Sequence, residues 1–117
     1  MAENVTVIKS YNFSVAIVKF CFEMQGKMKE YVLSRQLLKS GTSIGANIEE
    51  AQCAISKAEF IAKIQISLKE AKETKYWIRL IIDTEIFHSE KNAQLLKDCN
   101  EIIVLLTSIL KTAKSKN

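Results

Sequence analysis

Ser34-Arg35-Gln36-Leu37-Leu38-Lys39-Ser40-Gly41-Thr42-Ser43-Ile44-Gly45-Ala46-Asn47-Ile48-Glu49-Glu50-Ala51 sets two glycines and a run of small side chains inside a stretch that otherwise carries helical period. A helical glycine is about 1 kcal/mol less favourable than alanine, so two in one helix are tolerated where tertiary contact replaces the lost propensity. Close approach by another helix is that compensation. Leu33, Leu37, Ser40, Ile44, Ile48 and Ala51 keep one period across both glycines. This favours a continuous helix over about 30–54, with room for a kink, against a break at Gly41 and a restart at Thr42 or Ser43.

On the N-terminal side, residues 1–9 alternate Val5 and Val7 with polar neighbours and read as an extended lead-in. A first helix over about 10–25 then carries Phe13, Ala16, Ile17, Phe20 and Met24 on one row and Tyr11, Val15, Val18 and Phe22 on a second, with Gly26 placed to stop it. On the C-terminal side, Ser56 followed three residues later by Glu59 is a capping box that opens a third helix at Lys57. That helix runs to Ile86 or Phe87, about 45 Å at 1.5 Å per residue. Ser89 is positioned to cap a fourth over about 90–113, ahead of a lysine-rich tail.

The 117 residues are 48% hydrophobic and 26% charged, with no proline and three glycines, which fits one all-α domain over 1–117. Short connections between long helices make neighbours antiparallel, giving an up-down-up-down four-helix bundle. The longest purely apolar run, Ile102 to Leu106, is far short of the roughly 20 residues of a membrane span, and no basic segment leads into an apolar one at the N-terminus. The expectation is a cytoplasmic protein with no membrane partner. Cys21, Cys53 and Cys99 are odd in number and widely spaced, as reduced thiols are. Net charge is +4, but Lys111, Lys114 and Lys116 stand in the last seven residues, so the body before them is nearly neutral. A nucleic-acid footprint therefore has to come from local clustering of cations, not from the overall balance.

Apolar positions outnumber what one bundle hides. On the third helix Phe60, Ile64, Leu68, Ala71, Ile78 and Ile82 form one stripe while Ala62, Ile66, Trp77 and Leu80 form another nearly opposite. On the fourth, Leu96, Cys99, Ile103, Leu106 and Leu110 are flanked by Leu95, Ile102, Leu105 and Ile109. Surface of that extent marks a subunit interface, so a homo-oligomer is expected, with helices 1, 3 and 4 as contact elements and Ile66, Trp77, Leu80, Ile102, Leu105 and Ile109 as candidate interface residues.

From Tyr31 to Leu80, the order Y-V-L-S-R-Q-L-L-K-S-G-T-S-I-G-A-N-I-E-E-A, then S-K-A-E-F-I-A-K and L-K-E-A-K-E-T-K-Y-W-I, resembles the bacterial four-helix-bundle proteins called 23S rRNA intervening-sequence proteins. The match is strong over the central two thirds and looser over the Phe-rich first helix. The resemblance implies a homopentameric ring without established enzymatic activity, often encoded within an insertion in a large ribosomal RNA gene and also labelled ribosomal. A more distant relative is the accessory protein of diversity-generating retroelements, a basic pentamer that binds nucleic acid and a reverse transcriptase. Ser40, Ser43, Ile44, Asn47, Ile48 and Glu50 match the shared motif. Small residues plus an amide at helical spacing read as packing, so Gly41, Ser43, Gly45 and Asn47 form a helix-packing motif.

Catalytic and metal readings are weak. Gly41-x-x-x-Gly45 lacks the following lysine and the preceding strand of a phosphate loop, and its spacing differs from the GXXG loop of single-strand binders. Glu85-Ile86-Phe87-His88 matches one Glu-x-x-His element, but a di-iron bundle needs two, and His88 is the single histidine, a helix length from Cys53. Glu49, Glu50, Glu70 and Glu73 show no convergence on a pocket, although Glu73, in the second apolar stripe near Trp77, suits a buried glutamate paired with Arg35. No enzyme, cofactor, metal or small-molecule substrate is expected. Lys69, Lys72, Tyr76 and Arg79 share one sector of the third helix as a basic row with an aromatic, a usable nucleic-acid surface that a solvated face paired to Glu73 and Asp83 would imitate. In a ring each weak phosphate contact is multiplied, and Lys111, Lys114 and Lys116 add to it. The leading expectation is a non-enzymatic accessory protein that binds RNA or another nucleic acid. The alternative is a protein-interaction scaffold that never touches nucleic acid.

Overall fold

The computed structural model describes residues 4–115. Four helices account for nearly all of them: α1 (Val5–Met28), α2 (Val32–Gln52), α3 (Lys57–Asp83) and α4 (Asn92–Ser115), with no strand among the described residues. The all-α reading and the helix count hold. Each helix packs on its successor and α4 returns to α1, within an envelope of 49 × 24 × 21 Å.

The decisive stretch is one unbroken helix. A Cβ on Gly41 would stand 2.9 Å from Ile17 Cγ2, and one on Gly45 would stand 3.1 Å from Ser14 Oγ and 3.3 Å from the Ser10 carbonyl oxygen. Absence of side chains at these two positions lets α1 lie against α2, which is the compensation for the lost propensity. At the two ends of this seam Asn4 Nδ2 donates to Gln52 Oε1 and Gln25 Nε2 to Ser34 Oγ, both at 3.0 Å. Residue numbers therefore rise along α1 as they fall along α2. The same sense appears between α2 and α3, where Lys63 meets Glu50, Ser67 meets Ile44 and Thr74 meets Ser40.

The first helix begins earlier than the sequence reading placed it. Asn4 caps it, its side-chain oxygen accepting from the Thr6 and Val7 amides at 3.1 and 3.2 Å. Thr6, Ser10, Phe13, Ile17, Phe20 and Met24 form the buried row, spaced alternately by four and three. Two of its members are polar, which is why an apolar count missed the first turns. The helix also runs through Gly26 to Met28 and ends on Lys29, whose φ of 55° is left-handed and whose amide bonds the Gln25 carbonyl at 3.0 Å.

By length and composition α1 is apolar enough to cross a membrane. Its row from Phe13 to Met24 is buried among the other helices, which gives that apolarity a use inside the fold.

Helix α2 starts at Val32, just behind Glu30, whose carboxylate accepts from the amides of Val32, Leu33 and Ser34 at 2.8–3.0 Å. A negative group there satisfies three otherwise free donors and suits the helix dipole. Helix α3 opens at Lys57 as the cap requires, with the Glu59 amide on Ser56 Oγ at 3.1 Å. It stops at Asp83, not at 86 or 87. Phe87 is instead tucked under the turn, edge-on to Phe20 with centroids 5.4 Å apart, so the apolar signal there belongs to a plug for the core's end. Ser89 Oγ accepts from the Lys91 amide at 3.1 Å and α4 follows at Asn92, extending to Ser115.

Two core rows also differ from expectation. Helix α3 buries Ile64, Ser67, Ala71, Thr74, Ile78 and Ile81, leaving Phe60, Leu68 and Ile82 at the margin. Its hydroxyls are satisfied: Ser67 Oγ donates to the Ile44 carbonyl at 2.8 Å, and Thr74 Oγ1 lies 2.7 Å from the Glu70 carbonyl oxygen and 2.9 Å from Ser40 Oγ. Helix α4 buries Leu95, Cys99, Ile102, Leu106 and Leu110, so Leu96 and Ile103 are only half-buried. Burial pushes the Cys21 and Cys99 thiols up to about 12, which keeps them as neutral core groups.

Candidate functional site

Lys69, Lys72, Tyr76 and Arg79 are all exposed on the outer face of α3. Steps of three, four and three residues hold them on one line about 15 Å long. The opposite side of the same helix carries Ala71, Thr74 and Ile78 into the core, so packing of α3 is what fixes the row's outward direction. Among the described residues, neither lysine nor Arg79 makes an ion pair. Of the two carboxylates within the row's span, Glu70 is half-buried, and Glu73 is exposed and accepts from the Trp77 indole N–H at 3.1 Å. The buried Glu73–Arg35 pair expected from sequence is therefore absent: Arg35 sits over the Tyr31 ring, 5.5 Å from its centroid. Three cations thus face solvent around one aromatic, with Asp83 at the far end also exposed.

Lys111 and Lys114 are exposed near the C-terminal end of α4, and Lys116 lies outside the described residues.

The packing motif has internal partners throughout. Gly41 and Gly45 seat α1, Ser43 Oγ donates to the Lys39 carbonyl at 2.7 Å, and Asn47 Nδ2 donates to the Ser43 carbonyl at 2.9 Å. Glu50 holds Lys63 at 2.7 Å, which raises the Lys63 pKa. Near it Glu49, Cys53 and Glu59 line a shallow cleft of about 490 Å³. His88 is exposed in the α3–α4 turn, its Nε2 3.8 Å from Glu85 Oε1. No group of three His, Cys, Asp or Glu side chains among the described residues is placed to hold a metal ion.

Apolar side chains do reach the surface, though not all where expected. Ile102 is fully buried and belongs to the core of the four helices, not to a surface. Ile66 is 42% exposed, while Trp77, Leu80, Leu105 and Ile109 are half-buried. The most continuous strip lies on α1, where Val5, Ile8, Tyr11, Val15 and Phe22 are all exposed. Its first two members went unseen in the sequence because the residues before Ser10 read as extended. Beside it, α4 floors a groove of about 1250 Å³ with Ala93, Leu96, Val104 and Leu105 against Ile82, bridged at one side by the Lys9–Glu101 ion pair at 2.6 Å.

Comparison with known proteins agrees with this architecture. A protein of unknown function from the S23 ribosomal protein family of Bacteroides thetaiotaomicron, known from a crystal structure, is 48% identical, covers 92% of this chain and 99% of its own, and superposes with a TM-score of 0.88. A search of curated proteins gives no match. The family model for 23S rRNA-intervening sequence proteins matches residues 3–108, nearly the whole chain. The chain belongs to the 23S rRNA-intervening sequence protein family.

Proposed function

We propose that the protein is a non-enzymatic accessory factor of the cytoplasm that binds RNA, chiefly through phosphates. The observation that carries this reading is the row of Lys69, Lys72 and Arg79, three exposed cations without carboxylate partners, grouped around Tyr76. One such row is a weak site, because each phosphate contact is screened by salt. Copies of the row on a closed ring act together, and avidity then supplies what a single face lacks.

The subunit in this reading is an up-down-up-down antiparallel bundle, favoured by the opposed residue numbering along the α1–α2 and α2–α3 seams. Its assembly is a homopentamer by family resemblance. Support for assembly comes from the exposed strip Val5, Ile8, Tyr11, Val15 and Phe22, joined by the groove on α4. The groove also suits the second reading, a scaffold that recruits a protein and leaves RNA alone.

Electrophoretic mobility with structured ribosomal RNA across a salt series separates the two. RNA binding that weakens steeply as salt rises supports the first reading, and no binding at low salt supports the second. Lys72→Glu with Arg79→Glu, in an assembly of unchanged mass, is expected to weaken binding at least tenfold for every RNA sequence. Unchanged affinity would remove this face from consideration.

A further inference from the structure

We infer that the α3 row takes a single-stranded polynucleotide in preference to a duplex, a step that rests on the RNA-binding reading and names the form of its ligand. Tyr76 stands between Lys72 and Arg79, one turn from each, and is 52% exposed. Its ring meets Trp77 edge to face, with centroids 5.1 Å apart and planes at 73°. A ring has two faces, and an edge contact with one neighbour leaves at least one of them open. Trp77 is itself held, through its indole N–H on Glu73 Oε2 at 3.1 Å and its packing against the core.

An open aromatic face flanked by two cations is suited to one unpaired base stacked on the ring, with phosphates on either side reaching Lys72 and Arg79. Bases in a duplex are already stacked on each other and offer no face to Tyr76, so a duplex gains only the phosphate contacts. The choice of RNA over a protein partner follows from charge: the row carries Lys69, Lys72 and Arg79 without a counter-charge in ion-pair range. Every base presents a π-face, so a stack on Tyr76 tolerates any base.

The test measures fluorescence anisotropy of the full-length assembly at low salt, with oligouridine and with a perfect RNA duplex of equal length. The single strand is expected to bind about tenfold more tightly, the size of one base–aromatic stack. Tyr76→Ala is expected to remove that advantage while changing duplex affinity less than about twofold, and Tyr76→Phe to retain it. Tyr76→Leu keeps apolar bulk without a π-face, so it separates stacking from any packing role and should behave as Tyr76→Ala does. Light-scattering mass and circular dichroism verify that each variant is folded and assembled. Equal affinity for strand and duplex, or a Tyr76→Leu protein that binds oligouridine as the wild type does, would overturn the inference while leaving RNA binding intact. Binding of neither probe would remove RNA binding itself.

Discussion

The α1–α2 seam and the α4–α1 seam join the same helix to its two neighbours, yet they are built in opposite ways. On one side, two glycines remove the side chains that would hold the helices apart, and Ile17 fills the space at Gly41. On the other, α1 and α4 share fewer contacts, and two clefts open between them, lined by Val5, Ile8, Asn12 and Asp98 and by Asn12, Val15, Lys19 and Gln94. The Lys9–Glu101 pair spans that seam at the surface. The difference teaches that α1 has one face finished by its own chain and another that still exposes Val5, Ile8, Tyr11, Val15 and Phe22. In the proposed assembly a second copy of the chain covers the unfinished face.

The largest expected effect lies at the closed seam. Gly41→Leu drives a branched side chain into Ile17 and should destabilise the fold by about 3 kcal/mol or more in urea unfolding. Gly41→Ala should cost less, because better helix propensity, about 1 kcal/mol, offsets part of the overpacking. If both glycines accepted leucine without loss, close helix approach would not be what selects them.

At the open face the effect moves from folding to association. Phe22→Asp with Val15→Asp should leave the helix content unchanged and weaken assembly by about 2 kcal/mol or more, read as dissociation on dilution. A variant that keeps its mass would place the interface elsewhere, with the α4 groove next in line. Gly26 makes the converse comparison, since a Cβ there meets nothing within 4 Å. Gly26→Ala should therefore stabilise the protein by about 0.5–1 kcal/mol, the opposite sign to Gly41→Ala.

The smallest effect belongs to the ion pair over the open seam. The Lys9 ammonium beside Glu101 lowers the Glu101 pKa, so its contribution is present above the ordinary carboxylate range and is lost as pH falls through the lowered value. Thermal unfolding of wild type and Lys9→Met should differ slightly at neutral pH and converge in acid. A gap that persists at low pH would assign the difference to packing of the Lys9 stem, not to charge.

Legibility in the sequence followed the same division. Ser56 and Glu59 announced the start of α3 because a cap is a local device, and the continuity of α2 was visible because Leu37, Ile44 and Ile48 keep period across the glycines. Ser10, Ser67 and Thr74 hid the core rows, since a buried hydroxyl bonded to a nearby oxygen looks polar in sequence and behaves as filling in the fold, and buried Thr6 hid the first turn of α1 in the same row. Ile102 and Leu95 exchanged places with Ile103 and Leu96 on α4 because an apolar sector that broad does not say which of its edges points inward. The cationic row was legible from its spacing alone. The lack of carboxylate partners was not, as it depends on Glu73 turning to Trp77 instead.

The central claim is that one subunit leaves apolar surface for other copies to cover. Light scattering coupled to size-exclusion chromatography at micromolar concentration tests it most directly. The expected result is a discrete mass several times that of the 13.3 kDa chain, fivefold if the family resemblance holds in full. A folded species at 13.3 kDa that stays single as concentration rises would contradict it.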